Sequence, residues 1–301
     1  MQAPGLAHVP AFDREPVLNK KLLEFLTQKE IILSYFNHYG YYMGSFYPRE
    51  HYNSGFMILK QAAFYLDDTK RLVIAKKIVE GAALNCIKIM NYYNRRGKSL
   101  EEPIQQTRQL IEELSGKTDI EQTMSVEGKL KKIYYQSFNT IIMNPDFTFT
   151  KRSKRPPADH INSLISFANS IIYTYVLGEI YQTHLDPRIG FLHSANFRRF
   201  SLNLDIAEIF KPVIGDRTIF LCLNKKIISL GDFENKLNGL VLKEAGRRKF
   251  LEQLEEKLKQ TIKHSTLDKE VSYRRLIRLE LYKLEKHLME EEPYQPFVME
   301  W

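Results

Sequence analysis

Hydrophobic positions follow two different patterns along this chain, and the change falls near residue 50. Before it lie two short β-branched or aromatic runs, at 31–36 and 41–46, separated by Asn37, His38, Tyr39 and Gly40. Such runs flanking turn residues predict two β-strands joined by a turn. Two strands alone do not form a stable sheet in water, so we expect this piece to pair with more chain, from the same molecule or another copy.

Beyond Pro48 the apolar residues recur with the period of an α-helix, almost to the C-terminus. This spacing is clearest at Ile161, Leu164, Ile165, Ala168, Ile172 and Tyr175, and again at Ile277, Leu281, Leu284 and Leu288. It predicts an all-α region of about eight helices. Prolines that mark helix starts or ends stand at Pro103, Pro156, Pro157, Pro187 and Pro212.

The predicted organisation is therefore α+β by domain. Residues 1–16 contain three prolines and no periodic pattern, which indicates a loose leader. Residues 17–50 form a small, partial β domain, and residues 51–301 form a large all-α domain. A chain of 301 residues has room for one large core or two modest ones.

Charge points to a polyanionic partner, because 44 Lys and Arg exceed 36 Asp and Glu and give a net charge of +8. No apolar run approaches the roughly 20 residues that cross a bilayer, and the N-terminus lacks the apolar segment of a secretion signal. We therefore expect an intracellular protein without a membrane partner. Cys86 and Cys222 are isolated, which favours a packing role over a zinc site or a disulfide framework.

The first candidate for chemistry is Glu127. If its segment is helical, Glu127 shares one face with Leu130, Tyr134, Phe138 and Ile141. A carboxylate on an apolar face must be paired, protonated or bound to a cation, since an unpaired buried charge is costly. The alternative is an acid near a helix start that interacts with a nearby lysine.

Two further candidates lie downstream. His193 follows Gly190, Phe191 and Leu192 in a short segment before a new helix, where a histidine can be a metal ligand or simply a hydrogen-bonded surface residue. Asp205 and Glu208 are three residues apart, so on a helix they are neighbours and could share a cation. The alternative is a pair of solvated acids that face Arg198, Arg199 or Lys211.

Taken together, two carboxylates and an imidazole suit Mn²⁺ and tolerate Mg²⁺. Such an ion polarises a phosphodiester and stabilises the charge of an in-line displacement. Basic residues that can neutralise phosphates accompany the acids, and the DNA-contacting set we predict is Lys129, Arg155, Arg198, Arg199, Lys211 and Arg217. The nucleotide-triphosphatase, dinucleotide and α/β-hydrolase motifs do not occur in the sequence.

An ordered set of motifs resembles the CRISPR-associated integrase, the subunit common to CRISPR adaptation modules. The matching text begins with GYYMGSFYPR at 40–49 and SVEG at 125–128 followed by Tyr134 and Tyr135. It continues with RPP at 155–157, NSLISF at 162–167, LDPRIGFLH at 185–193, LDIAE at 204–208 and KP at 211–212.

The resemblance implies an N-terminal β-sandwich, here partial, followed by a helical catalytic domain with one metal site. Glu127, His193 and Glu208 would be the metal ligands, and Asp205 a supporting catalytic acid. Members of the family insert spacer DNA into a CRISPR array by transesterification, using Mn²⁺ or Mg²⁺. They bind double-stranded DNA, both prespacer and repeat, and they form homodimers that join a small ferredoxin-like partner protein.

One departure from the family pattern concerns the N-terminus: the resemblance implies further strands of the β-sandwich before Val17, and residues 1–16 do not show their pattern, so we expect the β domain of this sequence to be partial. Two other functions stay open from the sequence. The first is an inactive homologue that serves as a DNA-binding scaffold, and the second is an integrase outside CRISPR that mobilises a transposon-type element. Suitable residue types at all three ligand positions favour an active enzyme.

Overall fold

A computed structural model describes residues 18–37, 42–48, 52, 54–154, 156–195, 200–236, 239–264 and 267–300. The chain divides into two compact units, Met1–Asn53 and Ser54–Trp301. The predicted leader, residues 1–16, lies outside the described residues. The two units divide after Asn53, and the boundary that we predicted between the β domain and the helical domain falls after residue 50.

The first unit contains one helix and one β-hairpin. Strands β1 (Leu33–Phe36) and β2 (Tyr42–Phe46) pair antiparallel, which confirms the two predicted strands. Helix α1 (Lys20–Gln28) precedes them and was not predicted. Asn19 caps it by accepting a hydrogen bond from the backbone N–H of Leu22, a start signal that was visible in the sequence.

The second unit is mainly helical, as predicted. Several of its helices begin directly after an acid or a serine whose side chain caps the first turn, such as Asp67, Asp119 and Asp159. The helices are α2 (Gly55–Leu66), α3 (Asp68–Asn94), α4 (Glu101–Ser115), α5 (Ile120–Gln136), α6 (Phe138–Ile141), α7 (His160–Ile180), α8 (Ser201–Phe210), α9 (Arg217–Asn224), α10 (Glu244–Lys259) and α11 (Tyr273–Leu288).

Helix α7 forms the centre of this unit. It is buried on nearly every side, and α8 and α11 pack against it. The apolar positions that predicted α7 and α11 are all buried, which explains their helical period. No helix among the described residues is long and apolar enough to cross a bilayer.

Two short antiparallel hairpins lie among the helices and were not part of the prediction. One pairs β3 (Phe233–Lys236) with β4 (Gly239–Leu242), and the other pairs β5 (Thr261–His264) with β6 (Lys269–Ser272). Each strand has only four residues, so alternation over so short a run is hard to separate from the surrounding helical pattern. The fold is still mostly helical.

Pro212 lies where one helix ends and the next begins, as predicted: α8 ends at Phe210, and a π-helical turn begins at Lys211. The segment Lys211–Asp216 forms a π-helical turn that continues α8 directly into α9. A proline removes one backbone donor and its ring collides with the carbonyl four residues earlier, here that of Glu208. Widening the helix by one residue per turn accommodates this, and such π turns frequently mark functional sites.

The C-terminal segment, residues 293–300, is tied to the helical unit by buried polar side chains. Asn85 on α3 donates to the carbonyls of Ile209 and Phe297, at 3.0 and 2.9 Å, and accepts from the N–H of Met299 at 2.8 Å. The ring of Phe297 stacks on that of Phe210, with centroids 5.5 Å apart. One amide therefore joins the end of α8 to the C-terminal segment.

We expect Asn85→Ala to destabilise the protein by about 2 kcal/mol or more, because it leaves three buried backbone groups without their partner. Thermal unfolding checks this, with Thr69→Ala as a control at an exposed site on the same helix. Equal melting temperatures for the two variants would show that the Asn85 hydrogen bonds do not hold the segment.

Candidate metal centre

Glu127 lies on helix α5, which Asp119 caps by accepting from the N–H of Gln122. The apolar face predicted for this segment is confirmed: Leu130, Tyr134, Phe138 and Ile141 are all buried. Glu127 shares that face, and its side chain is 15% exposed. A carboxylate in such a position requires a compensating cation.

Glu208 lies on helix α8 and is buried, with 5% of its side chain exposed. Two ammonium groups contact it, Lys131 at 2.7 Å from Oε2 and Lys211 at 2.5 Å from Oε1. Lys131 also forms an ion pair with Oε1 of Glu127, one helical turn away on α5. A single ammonium group therefore joins carboxylates from two different helices.

Glu208 and its two lysines, Lys131 and Lys211, stabilise one another in their charged forms. Burial alone would raise the pKa of Glu208, but the ammonium groups of Lys131 and Lys211 outweigh it and keep that pKa well below its ordinary value. Burial would likewise lower the pKa of Lys131, but Glu208 and Glu127 raise it well above the usual range. The cluster is a set of compensated charges.

His193 is fixed by Asp205, which is fully buried on α8. The Asp205 carboxylate lies 2.7 Å from Nδ1 of His193 and accepts hydrogen bonds from the backbone N–H groups of Phe191, Leu192 and His193 at 2.6 to 2.9 Å. The Asp205 carboxylate therefore fixes both the backbone of residues 191–193 and the orientation of the His193 ring. This arrangement is typical of an acid that orients a metal-binding histidine through its other ring nitrogen.

The loop that carries His193 begins with Gly190, where a side chain would not fit. A Cβ atom there would lie 2.7 Å from Oδ2 of Asp205 and 2.5 Å from the backbone of Ser201. The loop can therefore approach the start of α8 only because residue 190 has no side chain. Gly190 therefore allows residues 191–193 to come close enough to donate hydrogen bonds to Asp205.

Asp216, at the end of the π turn, is a further buried acid that we did not select from the sequence. Burial raises its pKa to about 7, against the lowering effect of the Lys211 charge. Its neighbours Gly215 and Arg217 give no periodic cue, because the π turn shifts the helical register just before it.

Of the predicted ligands, the structure brings Glu127 and Glu208 to one shared cation and places His193 on Asp205. Within the described ranges, no three His, Cys, Asp or Glu side chains are close enough to hold a metal ion. The two carboxylates nevertheless fit a divalent cation, because Lys131 stands in for one: apart from that contact, Oε1 of Glu127 and Oε2 of Glu208 are buried and accept no hydrogen bond from the described residues.

The contacts of Lys131 and Lys211 also bear on the alternative roles that the sequence left open for Glu127, Asp205 and Glu208. Glu127 does interact with a nearby lysine, Lys131, but the pair includes a second buried acid. Asp205 and Glu208 are not a solvated pair, because both are buried.

The predicted DNA-contacting residues separate into three groups. Lys129 is exposed on α5. Arg217 lies with its guanidinium carbon 5.4 Å from the ring centre of Tyr92. Arg155, Arg198 and Arg199 lie outside the described residues, so their assignment to DNA stays a prediction.

Lys211, the sixth member of the predicted set, is buried, and its ammonium contacts Glu208 and the Tyr173 hydroxyl at 2.5 and 2.7 Å. Its assignment to DNA stays a prediction. Two cations were missing from the predicted set. Lys154 is exposed, and partial desolvation with the charges of Lys131, Arg152 and Lys211 lowers its pKa. The Arg152 guanidinium donates to Asn162 and Ser166 on α7.

Residues 5–256 match the family described as CRISPR associated protein Cas1. The chain is similar to a CRISPR-associated endonuclease Cas1 from Thermodesulfovibrio yellowstonii, with 56% identity over 287 residues that cover 95% of this chain and 87% of the relative. It is also similar to the solved structure of a Cas1 protein from Thermotoga maritima, with a TM-score of 0.82 and 42% identity over 93% of this chain and 86% of that one.

Two more distant structures share the fold. A casposase bound to an integration product has a TM-score of 0.85 and 21% identity, over 94% of this chain and 78% of that one. A Cas6-RT-Cas1–Cas2 complex has a TM-score of 0.79 and 19% identity, over 94% of this chain and 31% of the matched chain.

We expect Asp205→Ala to lower stability by about 3 kcal/mol or more, since several charge-assisted hydrogen bonds are lost and buried N–H groups are left unpaired. His193→Ala removes only one partner and should cost less. Thermal unfolding of both variants checks this. A smaller loss in Asp205→Ala than in His193→Ala would contradict the role given to the acid.

A second expectation concerns pH. Because folding raises the pKa of Asp216 to about 7, the native state binds a proton that the unfolded state releases, and stability falls as pH rises from about 4 to about 7. Asp216→Asn removes this loss, so the variant should gain stability relative to wild type at pH 8 and little at pH 4. Melting temperatures across that range test it, with exposed Asp68→Asn as control.

Proposed function

This chain belongs to the Cas1 family of CRISPR-associated proteins, and we propose that it is a metal-dependent DNA endonuclease and integrase. In this proposal it inserts spacer DNA into a CRISPR array by transesterification. The observation that supports it most is the pair of carboxylates of Glu208, which is buried, and Glu127, whose side chain is 15% exposed; they come from different helices and share one cation. Buried ionisable groups whose pKa is strongly perturbed by specific charge partners occur more often at functional sites than elsewhere.

The donor set proposed for the metal is Glu127, Glu208 and His193, and the ion is Mn²⁺ or Mg²⁺. Carboxylate oxygens with one imidazole nitrogen suit Mn²⁺ and tolerate Mg²⁺. When bound, the ion supplies Lewis-acid polarisation of the phosphodiester.

The protein's own residues supply orientation and charge. Asp205 contacts Nδ1 of His193, which leaves the other ring nitrogen as the ligand atom and fixes the plane of the ring. Lys154 and Lys129 are exposed and can neutralise phosphates of the duplex. Lys211 keeps Glu208 ionised and therefore ready to bind a cation.

Several partners follow from the proposal. Double-stranded DNA, as prespacer and as repeat, suits the net charge of +8. We also propose a homodimer and a small ferredoxin-like partner. The Cas6-RT-Cas1–Cas2 complex, whose fold this chain shares, supports the second of these. An enzyme of the CRISPR array would act in the cytoplasm, where that DNA lies.

A transposon-type integrase is the second candidate, because the casposase structure has a similar fold. The 56% identity to a CRISPR-associated endonuclease favours the CRISPR function. A CRISPR array and a small partner gene beside the coding sequence would decide between them.

We expect Glu127→Gln, Glu208→Gln and His193→Ala each to reduce Mn²⁺-dependent cleavage and strand transfer by at least about 100-fold, since each removes a ligand. The glutamine variants preserve side-chain volume, and the control is Glu121→Gln, which changes an exposed glutamate on the same helix α5. Gel assays with a labelled duplex and a repeat-containing target measure both reactions. Wild-type rates in any of the three would remove that residue from the site.

A further inference from the structure

Lys131 occupies an unusual position, because its ammonium is the only described group that contacts both proposed carboxylate ligands. It pairs with Oε1 of Glu127 and lies 2.7 Å from Oε2 of Glu208. Those two oxygens are buried and accept no hydrogen bond from the rest of the described chain. They are also the atoms that would face a divalent ion held between the two helices.

The ammonium and a divalent ion compete for these oxygens. Two cations that share the same pair of carboxylates lie close together, and the repulsion between them is large wherever water is excluded. We therefore expect metal binding to displace Lys131 from the carboxylates.

The Lys131 side chain is more exposed than that of its neighbour Lys211. The Lys131 side chain is 35% exposed and has a flexible four-carbon stem. The Lys211 side chain is 7% exposed, and its ammonium is also held by the Tyr173 hydroxyl at 2.7 Å. A displaced Lys131 would join the exposed cation Lys154, where the phosphates of a duplex would be neutralised.

We propose that Lys131 is an exchangeable internal counter-ion: it holds Glu127 and Glu208 together until the metal ion displaces it, and it then contacts a phosphate of the DNA. This inference rests on the proposed function, because it assumes the metal site. It makes Lys131 a positioning residue that couples metal binding to DNA binding.

The first test is the affinity for Mn²⁺ without DNA, measured by titration calorimetry. Lys131→Met removes the competing ammonium, so Mn²⁺ should bind at least about tenfold more tightly than to wild type. Lys132→Met is the matched control, because Lys132 is exposed on the next position of the same helix. Unchanged or weaker Mn²⁺ binding by Lys131→Met, with the variant folded by circular dichroism, would overturn the proposal.

The second test separates an exchangeable lysine from one that always contacts DNA. Duplex affinity is measured by stopped-flow fluorescence anisotropy, before cleavage, with EDTA and with Mn²⁺. Lys131→Met should bind like wild type in EDTA and more weakly in Mn²⁺, where its salt slope should be smaller by about one. An equal loss in both conditions would mean that Lys131 contacts phosphate without any exchange, and the proposal would fail.

A third measurement uses the wild-type protein and does not depend on how a variant folds. An ammonium paired with two carboxylates reacts slowly with an acylating reagent, so Mn²⁺ should raise the labelling of Lys131 relative to Lys132 in the same digestion fragment. Unchanged labelling at saturating Mn²⁺ would contradict displacement.

The two proposals fail separately. If Glu127→Gln and Glu208→Gln bind Mn²⁺ as tightly as wild type, the proposed metal site is wrong. If those variants lose Mn²⁺ binding but Lys131→Met gains none, the site stands and only the counter-ion role is wrong.

Discussion

The burial of two carboxylates against one another is the constraint on which the rest of this site depends. Glu127 and Glu208 come from helices α5 and α8 and meet where little water reaches them, so each charge requires a cation. In this structure Lys131 and Lys211 supply that compensation. The same requirement makes the place attractive to a divalent ion, because one such ion can satisfy both carboxylates at once.

Several features of the fold serve to hold α8 in place for this purpose. Asn85 and Phe297 fasten the end of the helix, through a hydrogen bond to Ile209 and a ring stack on Phe210. The π turn that accommodates Pro212 then carries the chain on into α9 without a break. At the other end of α8, Asp205 fixes the loop of His193. One helix therefore carries an acid of the cluster and the acid that orients the histidine.

Much of this could be predicted from periodicity. The apolar positions of α5, α7 and α11 repeat regularly, and a glutamate on such a face, Glu127, had to have a counter-charge. Three features could not be predicted in this way. Lys131 follows Glu127 by one turn, but its contact with Glu208 is made only by tertiary packing. The π turn shifts the register before Asp216, and the strands β3 to β6 are short runs of four residues that lie among helices, where their alternation is hard to separate from the helical pattern. Lys211 was assigned to DNA because its charge is evident in the sequence and its burial is not.

We propose that Glu127 and Glu208 form one cation site that a divalent metal ion takes over. A crystal structure of the protein soaked in Mn²⁺, with data collected at the manganese absorption edge, would show this directly. We expect one strong anomalous peak between the two carboxylates, with the Lys131 ammonium moved away from both. A site whose carboxylates still bind Lys131 at saturating Mn²⁺, with the anomalous peak elsewhere or absent, would contradict this proposal.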